Sequence, residues 1–246
     1  MIINGRFRAF LRLLAVQGAW NYERMTGVGI GHAAEPLLED LKSADPGRHA
    51  EAAVRSAEYF NSHPYLAGLA LGALVRAEYD FVPGSQIGRL RAALCSPLGA
   101  LGDQLFWIGL VPAMMAAAIV GVVAGLGLWS LVAVVVTYNG VRLWTGAWAL
   151  NTGLATGTKV GAAIGTSWLP GAAGRAGLAA GALVGLGLPL AADWLLDGGS
   201  SRHIGFAVIT MLSGLGLGWR LGPRITSVRF GLLAIGLAAT LAWEIG

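Results

Sequence analysis

From Gln104 to Val141 the chain runs 38 residues without an Asp, Glu, Lys or Arg. A helix needs about 20 apolar residues to cross the hydrocarbon of a bilayer. The run is therefore long enough for two crossings, or for one long crossing and a re-entrant arm. Pro112 and the glycines between Gly121 and Gly127 interrupt it. The rest of the chain agrees with a membrane setting. Charged residues are 12% and hydrophobic ones 55%, whereas a soluble domain carries about 25% charge. Such values exclude disorder, a coiled coil and a nucleic-acid-binding domain.

Charge divides the chain near residue 103. Residues 1–103 hold 10 basic and 10 acidic residues, and residues 104–246 hold 7 and 3. In the second part the basic residues stand singly between apolar runs, as in loops that set membrane orientation. Arg6, Arg8 and Arg12 at one end and Arg220, Arg224 and Arg229 near the other favour the cytoplasm. They place the polar loop 193–203 and the C-terminus outside. The start, MIINGRFRAFLRLL, has no clean apolar core and no cleavage signature, so no signal peptide is expected. Cys95 is the sole cysteine, which excludes an intrachain disulfide.

The reading of the elements follows from this division. Residues 6–30 are predicted to form a helix whose apolar stripe is Phe7, Phe10, Leu11 and Leu14. It either lies at the membrane interface or packs on the protein. Residues 36–50, with Pro36, Pro46 and Gly47, read as a solvated loop or a short helix and a turn. A helix over 50–60 carries the i, i+4 pair Glu51 and Arg55. Residues 65–75 are apolar but too short to span, and so form a re-entrant arm, a partly buried helix or one end of a tilted helix. Further apolar segments cover 143–158, 160–174, 176–192, 204–219 and 230–245. Glycines recur at four-residue spacing, among them Gly27/Gly31, Gly68/Gly72, Gly157/Gly161/Gly165 and Gly177/Gly181/Gly185. This spacing lets membrane helices approach closely, although many such pairs arise by chance in a chain so rich in glycine. The fold class is an all-α polytopic membrane protein: amphipathic N-terminal helices, re-entrant or broken hairpins, then packed transmembrane helices. Residues 1–103 and 104–246 are its two regions within one integrated membrane domain.

Three polar islands stand out. In QGAWNYERM, Gln17, Trp20, Asn21, Glu23 and Arg24 fall within nine residues. On a helix Gln17 and Asn21 share a face, while Glu23 and Arg24 point apart and need other partners. In FNSHPY, Asn61 or Ser62 is placed to cap a following helix, with Pro64 in its first turn and His63 beside the cap. In SPLGALGDQLFW, Asp103 is the one acid between Ala92 and Val141. It is either a functional intramembrane carboxylate or a helix cap in a broken-backbone segment. The chain has no HExxH, P-loop or GxSxG motif and no Cys/His cluster. No metal or cofactor is expected.

These islands, in this order and spacing, together with YNGVRLWTGAWALNTG, resemble the IID subunit of the mannose-family (mannose/fructose/sorbose) phosphoenolpyruvate-dependent sugar phosphotransferase systems. The resemblance implies an all-helical bacterial inner-membrane subunit, multi-pass, with a moving core and a V-shaped scaffold. It also implies a IIC membrane partner that mainly holds the sugar, cytoplasmic IIA and IIB phosphocarriers, a hexose substrate and a higher-order hetero-oligomer. Gln17, Trp20, Asn21, Glu23, Arg24, Asn61, His63 and Asp103 are the candidate substrate-path or partner-contact residues. The subunit itself is expected to be non-catalytic. His32, His49, His63, His203 and Cys95 are the conceivable phosphoryl acceptors, and none has a neighbouring motif to orient it. The alternative is a regulatory or scaffold membrane protein of an incomplete system that moves no sugar.

Overall fold

The computed structural model describes residues 3–195 and Leu212. The polar loop 193–203 beyond its first residues, His203, the segments 204–219 and 230–245 and the arginines at 220, 224 and 229 lie outside the described part. Every regular element among the described residues is helical. Two compact units result: residues 1–104 with 139–173, and residues 105–138 with the chain from 174 onward.

In the first unit, α1 spans Arg6–Leu14, α2 Gly27–Ala44, α3 Pro46–Ser56 and α4 Ala67–Tyr79. The single helix expected over 6–30 is not formed. After Leu14 the N–H groups of Ala15, Val16 and Gly18 turn back to carbonyls three residues earlier. The Asn21 carboxamide then accepts the N–H groups of Glu23 (3.1 Å) and Arg24 (2.8 Å). Its side chain thus competes with the helical ladder and reverses the chain. Of α1, Ala9 and Leu13 are buried, while Phe7 and Leu11 stay 72% and 48% exposed. Of the predicted apolar stripe, Phe10 and Leu14 are half-buried, with Phe10 beside Gly146, so the stripe is only partly the packed face.

Helix α2 runs through Pro36, where a loop or a short helix was expected. Pro36 has no N–H to give the His32 carbonyl. Arg12 Nη1 supplies that hydrogen bond instead, at 2.8 Å, and also pairs with Glu35. One residue, Asp45, separates α2 from α3. Its Oδ1 accepts the Arg48 N–H at 2.9 Å, and Pro46 sits in the first turn of α3.

The short apolar run at 65–75 is α4, a core helix with eleven of its 13 residues buried. It packs against α7 (Leu128–Thr156) backbone to backbone. A methyl group on Gly72 would lie 2.5 Å from the Leu154 nitrogen, and one on Gly153 would lie 2.4 Å from the Leu69 carbonyl oxygen. Gly68 meets Leu150 in the same way. Not all the spaced glycines behave so: Gly161, Gly165, Gly177 and Gly181 face open space.

Helix α5 spans Gly84–Gly102 and continues as a π-helical segment Asp103–Leu110, then α6 (Val111–Gly121), then a second π-helical segment Val122–Leu126. The broken backbone expected around Ser96–Trp107 is thus an unbroken helix that changes winding at Asp103. The whole, Gly84–Leu126, is long and apolar enough to cross a membrane, as is Leu169–Ala191. In the second unit the chain turns at Gly125 and Gly127, with φ of 87° and 52°, a conformation that favours glycine. Ser130 Oγ donates to the Gly127 carbonyl at 2.8 Å, and a methyl group on Gly121 would meet the Ser130 side chain. The uncharged run is therefore two helical arms that touch beside a glycine turn. After α7 come a short 3-10 turn, α8 (Val160–Gly165) and α9 (Leu169–Leu195), which includes the 176–192 segment.

The glycine contacts predict a contrast. Gly72→Leu should abolish a monodisperse peak in detergent size-exclusion chromatography. Gly177→Ala, in open space inside a helix, should leave the peak intact and raise stability by up to about 1 kcal/mol. Equal tolerance of both variants would contradict the α4–α7 packing.

Candidate functional site

The first two islands are stitched together by backbone. Met25 bridges to both Asn21 and Phe60. Phe60 donates its N–H to the Arg24 carbonyl (3.2 Å) and accepts at its own carbonyl from the N–H and the hydroxyl of Thr26 (3.0 and 2.8 Å). Gly27 and Gly29 let α2 start against the Glu58 and Val16 carbonyls, where a methyl group would be 2.0 Å from oxygen. The Phe60 ring is fully buried, with the Arg91 guanidinium 5.8 Å from its centroid. Arg91 itself is buried and donates to the Glu58 carbonyl at 3.4 Å.

His63 joins the second island to the third. A methyl group on Gly102 would fall 2.1 Å from His63 Cβ, so the histidine fills the space that Gly102 leaves beside Asp103. Neither Asn61 nor Ser62 caps α4. His63 serves that end instead: its Nδ1 accepts the Tyr65 N–H (3.3 Å) and its carbonyl accepts the Leu66 N–H (3.1 Å). Its ring stands edge-on to Tyr65 at 4.9 Å. Burial pushes the His63 pKa down to about 4, because the charged form would lose its hydration. The ring is neutral at physiological pH, with its proton on Nε2.

The remaining predicted residues divide by exposure. Gln17, Trp20, Glu23, Arg24, Asn61 and Asp103 are exposed. Trp20 stands edge-on to Tyr22, which is 86% exposed. Gln17 and Asn21 do not share a helix face, because no helix forms there. Asn21 holds the loop from behind. Asp103 lies inside a continuous helix rather than at a helix N-terminus, so its capping role is not realised.

Sequence reasoning missed the largest polar cluster. Glu78, 3% exposed on α4, receives Arg55 through two bonds (2.9 and 3.0 Å) and pairs with Arg48 at 3.0 Å. Arg48 also donates to the Glu78 and Val82 carbonyls. Bonding to Glu78 raises the Arg55 pKa. The expected Glu51–Arg55 pair does form, at 2.9 Å, as the outer branch of this cluster. The available signal was Glu78 itself, a carboxylate three residues beyond the apolar run 65–75. Arg142 on α7 was also missed. It donates to the Leu14 carbonyl at 3.4 Å and stacks 5.0 Å above the Tyr65 ring, tying α1 to the second island. Among the described residues no group of three or more potential metal ligands occurs.

Fold and site together define a helical membrane protein with its charged residues gathered in a helical unit that buries α4. The family model for the PTS system mannose/fructose/sorbose family IID component matches residues 4–184, and the chain belongs to that family. The PTS system mannose-specific EIID component of Escherichia coli (strain K12) is 29% identical over 156 residues, 61% of this chain and 55% of that protein. The Fructose permease IID component of Bacillus subtilis (strain 168) is 27% identical over 163 residues, 63% and 57% of the two. The matched stretches thus span little more than half the length of these curated relatives. A chain in the cryoEM structure of the Mannose Transporter ManYZ and Microcin E492 (MceA) complex shares the fold. Its TM-score is 0.58 at 21% identity, over 98% of this chain and 97% of that one.

Two outcomes follow from the buried groups. Glu78→Ala leaves Arg48 without its anion and Arg55 with only the exposed Glu51, and should cost about 3–5 kcal/mol. Glu51→Ala, at an exposed carboxylate, should stay within about 0.5 kcal/mol. Thermal unfolding in detergent compares them, and similar melting shifts would refute the central role of Glu78. For His63 the folded-state pKa lies below the ordinary 6.5. Above pH 6.5 both states are neutral and stability is unaffected. As pH falls from 6.5 towards 4 only the unfolded chain takes up the proton, and stability should drop by about 1.4 kcal/mol per unit. His63→Asn keeps an acceptor for the Tyr65 N–H and removes the titration, so its melting temperature should depend less on pH over that range.

Proposed function

We propose that this chain is the IID membrane subunit of a sugar permease. In this reading it crosses the bacterial inner membrane several times and pairs with a IIC subunit in a higher-order complex. With soluble IIA and IIB phosphocarriers that complex couples hexose uptake to phosphorylation. The family match carries the reading, because residues 4–184 take in all three polar islands and the Arg142 helix. The relatives' names point to mannose and fructose, hence to a hexose.

In this reading the roles divide by exposure. Asn21 and His63 hold the backbone, while Gln17, Trp20, Glu23, Arg24 and Asn61 present side chains for partner contact. Asp103 is the substrate-path candidate, an exposed carboxylate within a helix able to span a membrane. In this reading no phosphoryl group passes through this chain: His63 is buried, Cys95 donates to the Arg91 carbonyl within α5, and the exposed His32 and half-buried His49 have no neighbouring motif to orient them. The glycine turn at Gly125–Gly127 joins the two arms of the V-shaped scaffold.

Co-expression with a IIC chain of the same family tests this. A stoichiometric complex in proteoliposomes, supplied with phosphorylated IIB, should accumulate hexose phosphate. Asp103→Asn should assemble normally and lower that uptake at least tenfold. Uptake equal to the parent's would remove Asp103 from the path. Assembly without phosphorylation of any hexose would favour a regulatory scaffold.

A further inference from the structure

A small cavity lies within the first unit where α1, the second island and α7 meet. Its volume is about 30 Å³, and Gln17, Leu14, Tyr65, Gly68, Arg142 and Gly146 are among its lining residues. That is room for a water molecule and far too little for a sugar or a phosphate group. One wall carries an unusual group: Arg142 Nε is buried and has no hydrogen-bond partner among the described residues. The same guanidinium is held by Nη2 on the Leu14 carbonyl and by the face of Tyr65, so it is not free to swing out to solvent. A buried guanidinium N–H left unpaired loses its hydration without compensation. The cavity offers what such a group requires. Leu14 supplies a carbonyl at the end of α1, where helix carbonyls lack partners. Gln17 supplies an amide that both donates and accepts.

We propose that Arg142 Nε, the Leu14 carbonyl and the Gln17 amide hold one buried water molecule. The water accepts from Arg142, donates to Leu14 and bonds Gln17, which gives it three partners, the usual number for an internal water. It pins the end of α1, and with it the start of the loop that presents Trp20, Glu23 and Arg24, onto α7. Arg142 is therefore a positioning residue for that loop, and Gln17, which is exposed to solvent, also lines the cavity. This holds whether or not the chain belongs to a working permease.

Two measurements test the site on the purified full-length chain, alone or in its native complex. A structure at a resolution that shows ordered water should place one density peak within hydrogen-bonding distance of Arg142 Nε. An empty cavity, or a direct Gln17–Arg142 bond, overturns the proposal. Limited trypsinolysis should cut slowly after Arg24 in the parent. Gln17→Leu and Arg142→Lys should each speed that cut roughly tenfold and leave cleavage after Arg89 unchanged. If Arg142→Lys does not fold, Gln17→Leu decides. An unchanged rate at Arg24 in Gln17→Leu overturns the pinning role.

Discussion

The rest of the first unit depends on how closely α4 and α7 approach. At Gly68, Gly72 and Gly153 the two backbones touch, leaving no space for even a methyl group. Contacts of this kind gain dispersion energy from many atoms at once and do not rely on expelling water, which suits a chain whose surroundings are partly lipid. They also set the helices parallel, because Gly68, Gly72 and Arg76 on α4 successively meet Leu150 and Leu154 on α7 and Gly157 just beyond its end. Everything that presents the polar islands is attached to this pair. The 63–66 turn leads into α4, and Arg142 reaches from α7 to the end of α1.

A helix as buried as α4 must dispose of any charge it carries. Glu78 lies near its last turn, where the carboxylate faces the repulsive end of the helix dipole as well as desolvation. Two arginines from α3 meet it, and Arg48 adds bonds to the carbonyls of Glu78 and Val82. One cluster therefore neutralises the acid, satisfies the helix end and fixes α3. A hydrophobic residue at 78 would fill the space without such directional demands. The ionic version ties α3 to one register on α4.

How much of this was legible in the sequence depended on range. The helical class and the Glu51–Arg55 pair follow from local spacing, and a partly buried helix is one of three readings of 65–75. The order of the three islands identified the family. What failed required partners distant in sequence. Pro36 reads as a helix breaker until Arg12, 24 residues earlier, is seen to bond the His32 carbonyl in its place. Asn21 reads as a helix residue because a carboxamide turning onto its own backbone leaves no periodic trace. Of the spaced glycines, Gly68 and Gly72 pack while Gly177 and Gly181 do not; spacing alone carries no information on which face meets a neighbour. For the candidate site, the islands were found but the division of labour within them was not. Glu78 and Arg142 were absent from it because neither stands near another polar residue of its own cluster in the chain.

That division bears on why polar residues gather in an otherwise apolar chain. A loop at the edge of a membrane unit must satisfy its N–H and C=O groups without relying on water everywhere. The first two islands do this with Asn21, Thr26 and His63, whose side chains are consumed by backbone partners. Residues so used are poor candidates for chemistry, because releasing them to bind a substrate would leave buried backbone groups unpaired. Those with no such duty (Glu23, Arg24, Asn61 and Asp103) can be exchanged for other side chains without undoing the fold. The nine residues from Gln17 to Met25 thus hold both kinds side by side: Asn21, spent on the backbone, and Glu23 and Arg24, exposed and without such a duty.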